Sequence, residues 1–342
     1  MQRPISKAAL DVVDMHTAGE PVRIVTGGYP ALKGRTLLEK RREAAEKHDH
    51  LRRRLMLEPR GHGGMYGVIP TESTEGADLA VLFTHAEGYS TMCGHATIAV
   101  GRWAVETGLV EAAKPETRFV LECPCGPVDV FVRLDGGACV SGFTSVPAFA
   151  EPEPRLVEVP GRGQIPVSVA FGGAYYAILP ASALRLDFDS AGFAALAKTA
   201  GEVFGAALGQ LRIEPRGEPD VEFLYGVILT DDAPWPAPTR NICIFAAGQI
   251  DRSPTGSGVT ARMALDHICG NIPAKTEREF IGPTGQAFRG SIAEIAETPA
   301  GPEVRVRIEG RSYFTGTSSF VFEDQDPLAD GFLLAQEVAG GR

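Results

Sequence analysis

Two apolar helical segments of this chain begin in the same way. The first reads Cys93-Gly94-His95-Ala96-Thr97-Ile98-Ala99 and the second Thr255-Gly256-Ser257-Gly258-Val259-Thr260-Ala261. In each, a residue with a nucleophile-type side chain is followed by glycine, a histidine or small polar residue, a small residue, and alanine three further on. One copy lies in each half of a chain of 342 residues, long enough for two domains of ordinary size and for a core that needs no staples. Read as a duplication, the match means two similar halves, each presenting one helix N-terminus. A single pair of short matches fits chance equally well.

The segments between these helices read mostly as strands. The 40 glycines and 25 prolines punctuate the chain often, as in folds with many short strands and tight turns. Strands are expected at Val22–Thr26, Leu79–Thr84, Phe119–Glu122, Val128–Val132, Ile165–Val169, Tyr175–Leu179, Tyr225–Leu229, Ile242–Phe245 and Val304–Ile308. Helical spacing is found over Gly34–Arg54, over one or two segments within Ser182–Leu208, and over Gly94–Thr107 and Gly256–Cys269. The Pro/Glu-rich stretch Pro147–Pro160 reads as a mid-chain crossover.

Composition excludes several classes of function. The formal charge of −10 argues against nucleic-acid or anionic-membrane binding, which needs basic patches. No apolar run approaches the roughly 20 residues that span a bilayer. Met1–Glu20 lacks a basic head followed by an apolar stretch, so no secretory signal is expected. Six cysteines, at 93, 123, 125, 139, 243 and 269, are too few for a disulfide framework and fit a reducing cytoplasm. No phosphate-binding G-x-x-x-x-G-K-[ST] occurs, and Gly256-Ser257-Gly258 lacks the third glycine of a dinucleotide fingerprint. Cys123-Pro124-Cys125 has the wrong spacing for zinc, and the histidines show no ligand spacing, so no metal is expected. A cofactor-free enzyme remains, or no enzyme.

Cys93 is the sharpest candidate for chemistry. Placed at a helix N-cap, it would meet free N–H groups and the helix dipole, both of which stabilise a thiolate. His95 could hydrogen-bond to the thiol or to a substrate. A small buried cysteine before a helix is the plainer alternative. The second helix start, Asp251-Arg252-Ser253-Pro254-Thr255-Gly256-Ser257-Gly258, is a well-made N-terminus, with Asp251 and Ser253 as turn and cap residues. Opposite a thiolate it becomes the other wall of a site. The segments His16–Pro21 and Glu58–Gly67 read first as turns.

Met92-Cys93-Gly94-His95-Ala96-Thr97-Ile98 and Asp251–Gly258 resemble the two signature segments of the proline racemase family. The resemblance extends to Met15–Pro21, Glu58–His62, Phe171–Ala177 and the region Gly282–Gly290, and so covers nearly the whole chain in order. It implies an α/β fold like diaminopimelate epimerase: two pseudo-symmetric domains, each a curved sheet around a central helix, with the site in the cleft between them and no cofactor. On that pattern residues 1–158 form the first domain, 159–321 the second, and 322–342 return to the first. A homodimer is compatible with it.

One departure decides which reaction the resemblance implies. Racemases and 4-hydroxyproline epimerases of the family carry cysteine in both signatures, whereas here the second is Thr255. Cysteine paired with threonine resembles the trans-3-hydroxy-L-proline dehydratases. A threonine hydroxyl is too weakly acidic to exchange roles with a thiolate near neutral pH, so inversion lacks its second acid, whereas one-base elimination does not need it. The implied substrate is a small imino acid. Its carboxylate is expected at the N–H groups of Gly94, His95, Gly256 and Ser257, and its ring ammonium, by the resemblance, at Asp251. Cys93 is expected to take the Cα proton. The 3-hydroxyl then leaves, and the enamine becomes Δ1-pyrroline-2-carboxylate. Cys93 or His95, rather than Thr255, is expected to protonate the leaving hydroxyl, with Tyr66 and Phe245 as apolar walls. The rival readings are a 4-hydroxyproline 2-epimerase or proline racemase, and a non-catalytic imino-acid-binding protein.

Overall fold

The computed structural model describes residues 10–135, 138–213, 223–245 and 248–333. The first nine residues of the stretch read for a leader lie outside them, as do residues 334–342 of the segment expected to return to the first domain. Nineteen strands and five α-helices are found among the described residues. No helix among them is long and apolar enough to cross a membrane.

The first half opens with a hairpin of β1 (Leu10–Thr17) and β2 (Glu20–Gly27). Its two-residue turn puts Ala18 and Gly19 at positive φ, the geometry that matches strand twist. Helices α1 (Leu37–Lys47) and α2 (Asp49–Met56) lead to β3 (Tyr66–Thr71), which runs parallel to β2. Strand β4 (Leu79–His85) returns antiparallel, and the two-residue β5 (Tyr89–Ser90) folds onto it. Helix α3 (Gly94–Glu106) follows, then β6 (Thr117–Cys123), parallel to β4, and the antiparallel β7 (Gly126–Asp135) and β8 (Ala138–Thr144).

The second half repeats this succession. Strands β9 (Phe149–Ala150) and β10 (Arg155–Val159) pair with β11 (Gly163–Phe171). Strands β11 and β12 (Tyr175–Pro180) are antiparallel, and a 3-10 turn (Ala181–Leu184) and α4 (Phe193–Gln210) lead to β13 (Leu224–Thr230), parallel to β12. The antiparallel β14 (Thr239–Phe245), the two-residue β15 (Gln249–Ile250) and α5 (Gly256–Ile268) come next. Strand β16 (Glu277–Ile281) is parallel to β14, and β17 (Ala287–Thr298) and β18 (Gly301–Gly310) close the series antiparallel. The order of parallel and antiparallel pairings from β2 to β8 is that from β12 to β18. The matching strands β8 and β18 pair with each other, and β19 (Ser312–Phe320) crosses back to β1.

Helices α3 and α5 are apolar on nearly every face, and this suits them to the middle of a curved sheet rather than to its surface. Helix α3 packs on β7, β8, β1 and β2, and α5 on β17, β18, β9 and β11. Ile98 and Val100 of the one share a core with Val259 and Met263 of the other, closed by Phe143, Phe288 and Ile308. A second core lies under α4 and a third under α1 and α2, where Phe322 joins Leu10, Leu37 and Met56.

Three expectations change in detail. Gly34–Arg54 is two helices, because His48 leaves helical geometry and Asp49 opens the next turn with an ion pair to Arg52. The crossover Pro147–Pro160 contains β9 and β10, and the boundary at 158/159 falls inside β10. Val157 and Val159 pack with residues of β11 to β14, so by contacts the change of halves precedes β9. Contacts also return to the first half before 322, through β19 on β1.

The two central helices meet tip to tip. A Cβ on Gly94 would lie 2.4 Å from the Gly256 Cα, and one on Gly256 would lie 2.6 Å from the Gly94 Cα. Both distances are below any tolerated contact and involve backbone, which cannot swing away. Gly256→Ala is therefore expected to destabilise the protein by about 1–3 kcal/mol. Gly201→Ala, on the open face of α4 where an added methyl meets nothing within 4 Å, should gain about 0.5–1 kcal/mol. Urea unfolding of the two variants checks both signs.

Candidate active site

The abutting helix tips leave a narrow cavity between the halves, with a volume of only about 10 Å³ open to the centre of a water molecule. From the first half Tyr66, Met92, Cys93, Gly94 and His95 line it; from the second, Tyr176, Tyr225, Phe245, Asp251, Thr255, Gly256 and Ser257. Every residue expected at the site from the sequence is here. Met92, Tyr176 and Tyr225 were not expected.

Cys93 is the N-cap of α3, in extended backbone, and its carbonyl accepts the Thr97 N–H at 2.9 Å and the Thr97 hydroxyl at 2.8 Å. The first N–H groups of α3 and α5 have no carbonyl one turn back and point toward the cavity end of each helix. The Cys93 Sγ lies 3.2 Å from His95 Nδ1 and 3.6 Å from Nε2. The Thr17 hydroxyl donates to the His95 carbonyl at 2.9 Å. The hairpin read as a turn is thus a turn whose flank holds the histidine.

Thr255 caps α5 at φ +66°, a backbone conformation that costs a β-branched residue about 1–3 kcal/mol. Its neighbours over-determine it. Asp251 Oδ1 accepts the Ser253 N–H at 2.7 Å, Ser253 Oγ accepts the Thr255 N–H at 3.1 Å, and the Asn241 amide donates to the Pro254 carbonyl at 2.9 Å. Among the described residues the buried Thr255 hydroxyl has no hydrogen-bond partner apart from the Cys243 thiol alongside.

A second carboxyl group stands beside Asp251. Glu20, fully buried, accepts the Arg252 N–H at 2.7 Å and its guanidinium at 3.2 Å. Arg252 also donates to the Gly64 carbonyl at 3.3 Å, so the Gly-rich Glu58–Gly67 segment braces this corner. Burial, and then the charge of Asp251, hold the Glu20 carboxyl well above the usual carboxylate range, and Arg252 pulls the other way.

The aromatic walls are polar at their tips. The Tyr66 hydroxyl hydrogen-bonds to Ser90 Oγ, and the Tyr66 ring meets that of His95 edge-on at 4.8 Å. Tyr66 was expected as an apolar wall; its hydroxyl in fact lies beside the Cys93 thiol. The Tyr176 hydroxyl lies 2.7 Å from Ser257 Oγ. Tyr225 stacks on Phe245 at 5.4 Å. Tyr175 pairs with Leu224 and Tyr176 with Gly226, so Tyr225 is the extra residue of a β-bulge, which re-aims its side chain. Nothing local in the sequence marks that bulge. Tyr176 carried a signal, since Phe171–Ala177 stood out as a motif.

Burial sets the protonation states. It pushes the phenols of Tyr66, Tyr176 and Tyr225 well above 10 and lowers His95 to about 4, so these groups are neutral. It also raises the Cys93 thiol, with Asp251 and Glu20 adding to the rise and the Ala96 N–H and Tyr66 hydroxyl opposing it. The sequence suggested a thiol lowered by the helix dipole. In the closed site desolvation outweighs the dipole, because the sulfur has no water to share its charge.

Residues 12–333 match the family model described as Proline racemase. The chain is 49% identical over 334 residues to the trans-L-3-hydroxyproline dehydratase of Xenopus tropicalis, covering 95% of each chain. It is 48% identical over 335 residues to the trans-3-hydroxy-L-proline dehydratase of Homo sapiens, covering 95% of this chain and 94% of that one. Its structure matches that of a probable proline racemase from Agrobacterium radiobacter, solved with bound carbonate, at a TM-score of 0.89 and 26% identity, over 95% of this chain and 96% of that one.

A raised thiol pKa makes a prediction with a definite sign. The thiolate fraction of Cys93 at pH 7.5 lies below that of an ordinary thiol and keeps rising past pH 9. Iodoacetamide should therefore label the exposed Cys269 before Cys93, and the Cys93 rate should still climb above pH 9 when followed by peptide mapping. Labelling of Cys93 first, with a rate already flat below pH 8, would show a preformed thiolate instead.

Proposed function

This chain belongs to the proline racemase family, and from that premise we propose that it dehydrates trans-3-hydroxy-L-proline to Δ1-pyrroline-2-carboxylate. The observation that carries this reading is the unequal pair at the cavity. Cys93 lines it from the first half and Thr255 from the second. Inversion of a Cα centre needs an acid and a base of matched strength on its two faces, and a hydroxyl cannot match a thiol. Elimination needs one base.

The substrate carboxylate sits at the N–H groups of Gly94, His95, Gly256 and Ser257, which stabilise the charge that spreads into it as the Cα proton leaves. The ring ammonium sits at Asp251, with Glu20 behind. These two carboxyl groups are among the causes of the raised Cys93 pKa, so an arriving cation that offsets them favours the thiolate. The thiol proton passes to water as the substrate enters, and the neutral His95, with Nδ1 3.2 Å from the sulfur, holds the thiolate by a hydrogen bond. Cys93 then removes the Cα proton, and the C3–O bond breaks. In the trans isomer the hydroxyl is cis to the Cα hydrogen, so base and leaving group share the face on the Cys93 side. Thr255 positions the substrate or a water. Six unpaired thiols go with a reducing compartment, and we assign the enzyme to the cytoplasm.

On this reading Cys93→Ser loses pyrroline formation by about 10³-fold or more, because the hydroxyl is a far poorer base, whereas Thr255→Ala keeps most of it. The assay is a panel of proline and hydroxyproline stereoisomers with an aldehyde reagent for the pyrroline, run in deuterated water. Label appearing in an inverted enantiomer, without pyrroline, would identify an epimerase or racemase.

A further inference from the structure

We propose that Tyr66 is the catalytic acid of this site and delivers its phenolic proton to the departing 3-hydroxyl. The proposal rests on the dehydratase reading above and names a group which that reading leaves open.

Three observations converge on Tyr66. Its position is right: it lines the cavity from the first half, on the side of Cys93, and its hydroxyl lies beside the Cys93 thiol. The stereochemistry of the trans substrate puts the leaving oxygen on that same face. Its hydroxyl is supported: it bonds to Ser90 Oγ, which is itself fully buried and sits three residues before Cys93. A wall that served only to exclude water would need no phenol, since burying a hydroxyl is unfavourable unless a partner is built for it. Its ring is held by edge-on contact with His95 at 4.8 Å and by contacts with His85 at 5.9 Å and Phe245 at 6.4 Å, and its hydroxyl lies among Ser90, Cys93 and Tyr225.

Tyr225 reaches the cavity from the second half, stacked on Phe245, and the remaining candidates are otherwise engaged. His95 is turned to Cys93, with Nδ1 at 3.2 Å and Nε2 at 3.6 Å from the sulfur. The Tyr176 hydroxyl is tied to Ser257 in the second half, and Thr255 also belongs to that half. Cys93 takes up the Cα proton as the hydroxyl begins to leave.

The proton count closes. The Cys93 thiolate accepts the Cα hydrogen and becomes a thiol. The electron pair of that C–H bond forms the Cα–C3 double bond, and the C3–O bond breaks. The oxygen leaves with the Tyr66 proton as water. The tyrosinate that remains accepts a hydrogen bond from Ser90 Oγ and takes the proton back from the adjacent Cys93 thiol, which restores both groups. No co-reactant is consumed.

The test compares two leaving groups of the same configuration. Hydroxide needs a proton to depart and chloride does not. Tyr66→Phe should lower the turnover of trans-3-hydroxy-L-proline by about 10²- to 10⁴-fold, the range general acids contribute. The same variant should lose less than about tenfold on the 3-chloro analogue, so the chloride-to-hydroxide ratio rises. Ser90→Ala should move that ratio the same way by a smaller factor, and it asks the question independently should Tyr66→Phe fold poorly. Dehydration by Tyr66→Phe within about threefold of the parent would overturn the proposal. So would an equal loss on both substrates, which would make Tyr66 a shaping residue only. A parent enzyme that forms no pyrroline from either compound would instead overturn the dehydratase reading itself.

Discussion

The architecture depends on one close approach, the contact of Gly94 with Gly256. Two helices that are apolar all round must be buried, and each half buries one inside its own curved sheet. Only where both residues lack a side chain can the two N-termini come close enough for their unpaired N–H groups to share one cavity. Bringing two positive dipole ends together is electrostatically unfavourable. It becomes useful when an anion occupies the space between them, so a carboxylate ligand and this geometry explain each other. The pairing of β8 with β18 and the crossing of β19 to β1 hold the halves in that register.

The second governing condition is dryness. Cys93, His95, Tyr66 and Asp251 are all almost fully buried. In such a site a group carries charge only if a neighbour compensates it. The residues of the cavity are therefore a neutral thiol, a neutral imidazole and neutral phenols, with the carboxyl groups of Asp251 and Glu20 and the Arg252 guanidinium at one corner. On the proposed reading a zwitterionic imino acid supplies both compensating charges at once, its carboxylate at the helix tips and its ammonium at Asp251 and Glu20. On that reading the thiolate forms only with substrate in place, and reactive sulfur is not kept exposed between turnovers. The strained backbone of Thr255 fits the same scheme, since the fold spends stability to hold that hydroxyl in a fixed place.

Much of this was readable along the chain. Glycine after Cys93 and after Thr255 marked both helix starts, since a cap residue, a glycine and an apolar run are local features. The strand series was readable from alternation, and the nine strands expected all occur. Ten of the nineteen strands described were not expected, among them the two-residue β5, β9 and β15 and the largely exposed β17 and β19, because short or exposed strands lack a clear apolar period. The break at His48 and the bulge at Tyr225 are set by what packs against them, so no local pattern announces them. Glu20 and Ser90 were invisible as site residues for the same reason: each matters through a partner far away in sequence, Arg252 in one case and Tyr66 in the other.

The sequence by itself determined the chemistry available: one thiol, one threonine where a second thiol would permit inversion, and two helix ends to bind an anion. Those are matters of residue identity and local spacing. Only the tertiary structure decided the state in which that chemistry is kept. The thiol pKa is raised rather than lowered because strands from both halves close over Cys93 and remove water from it. Tyr66 is more than an apolar wall because folding pairs its hydroxyl with Ser90 inside the cavity that Cys93 lines. Desolvation and long-range proximity are properties of the packed chain, and no window of sequence contains them.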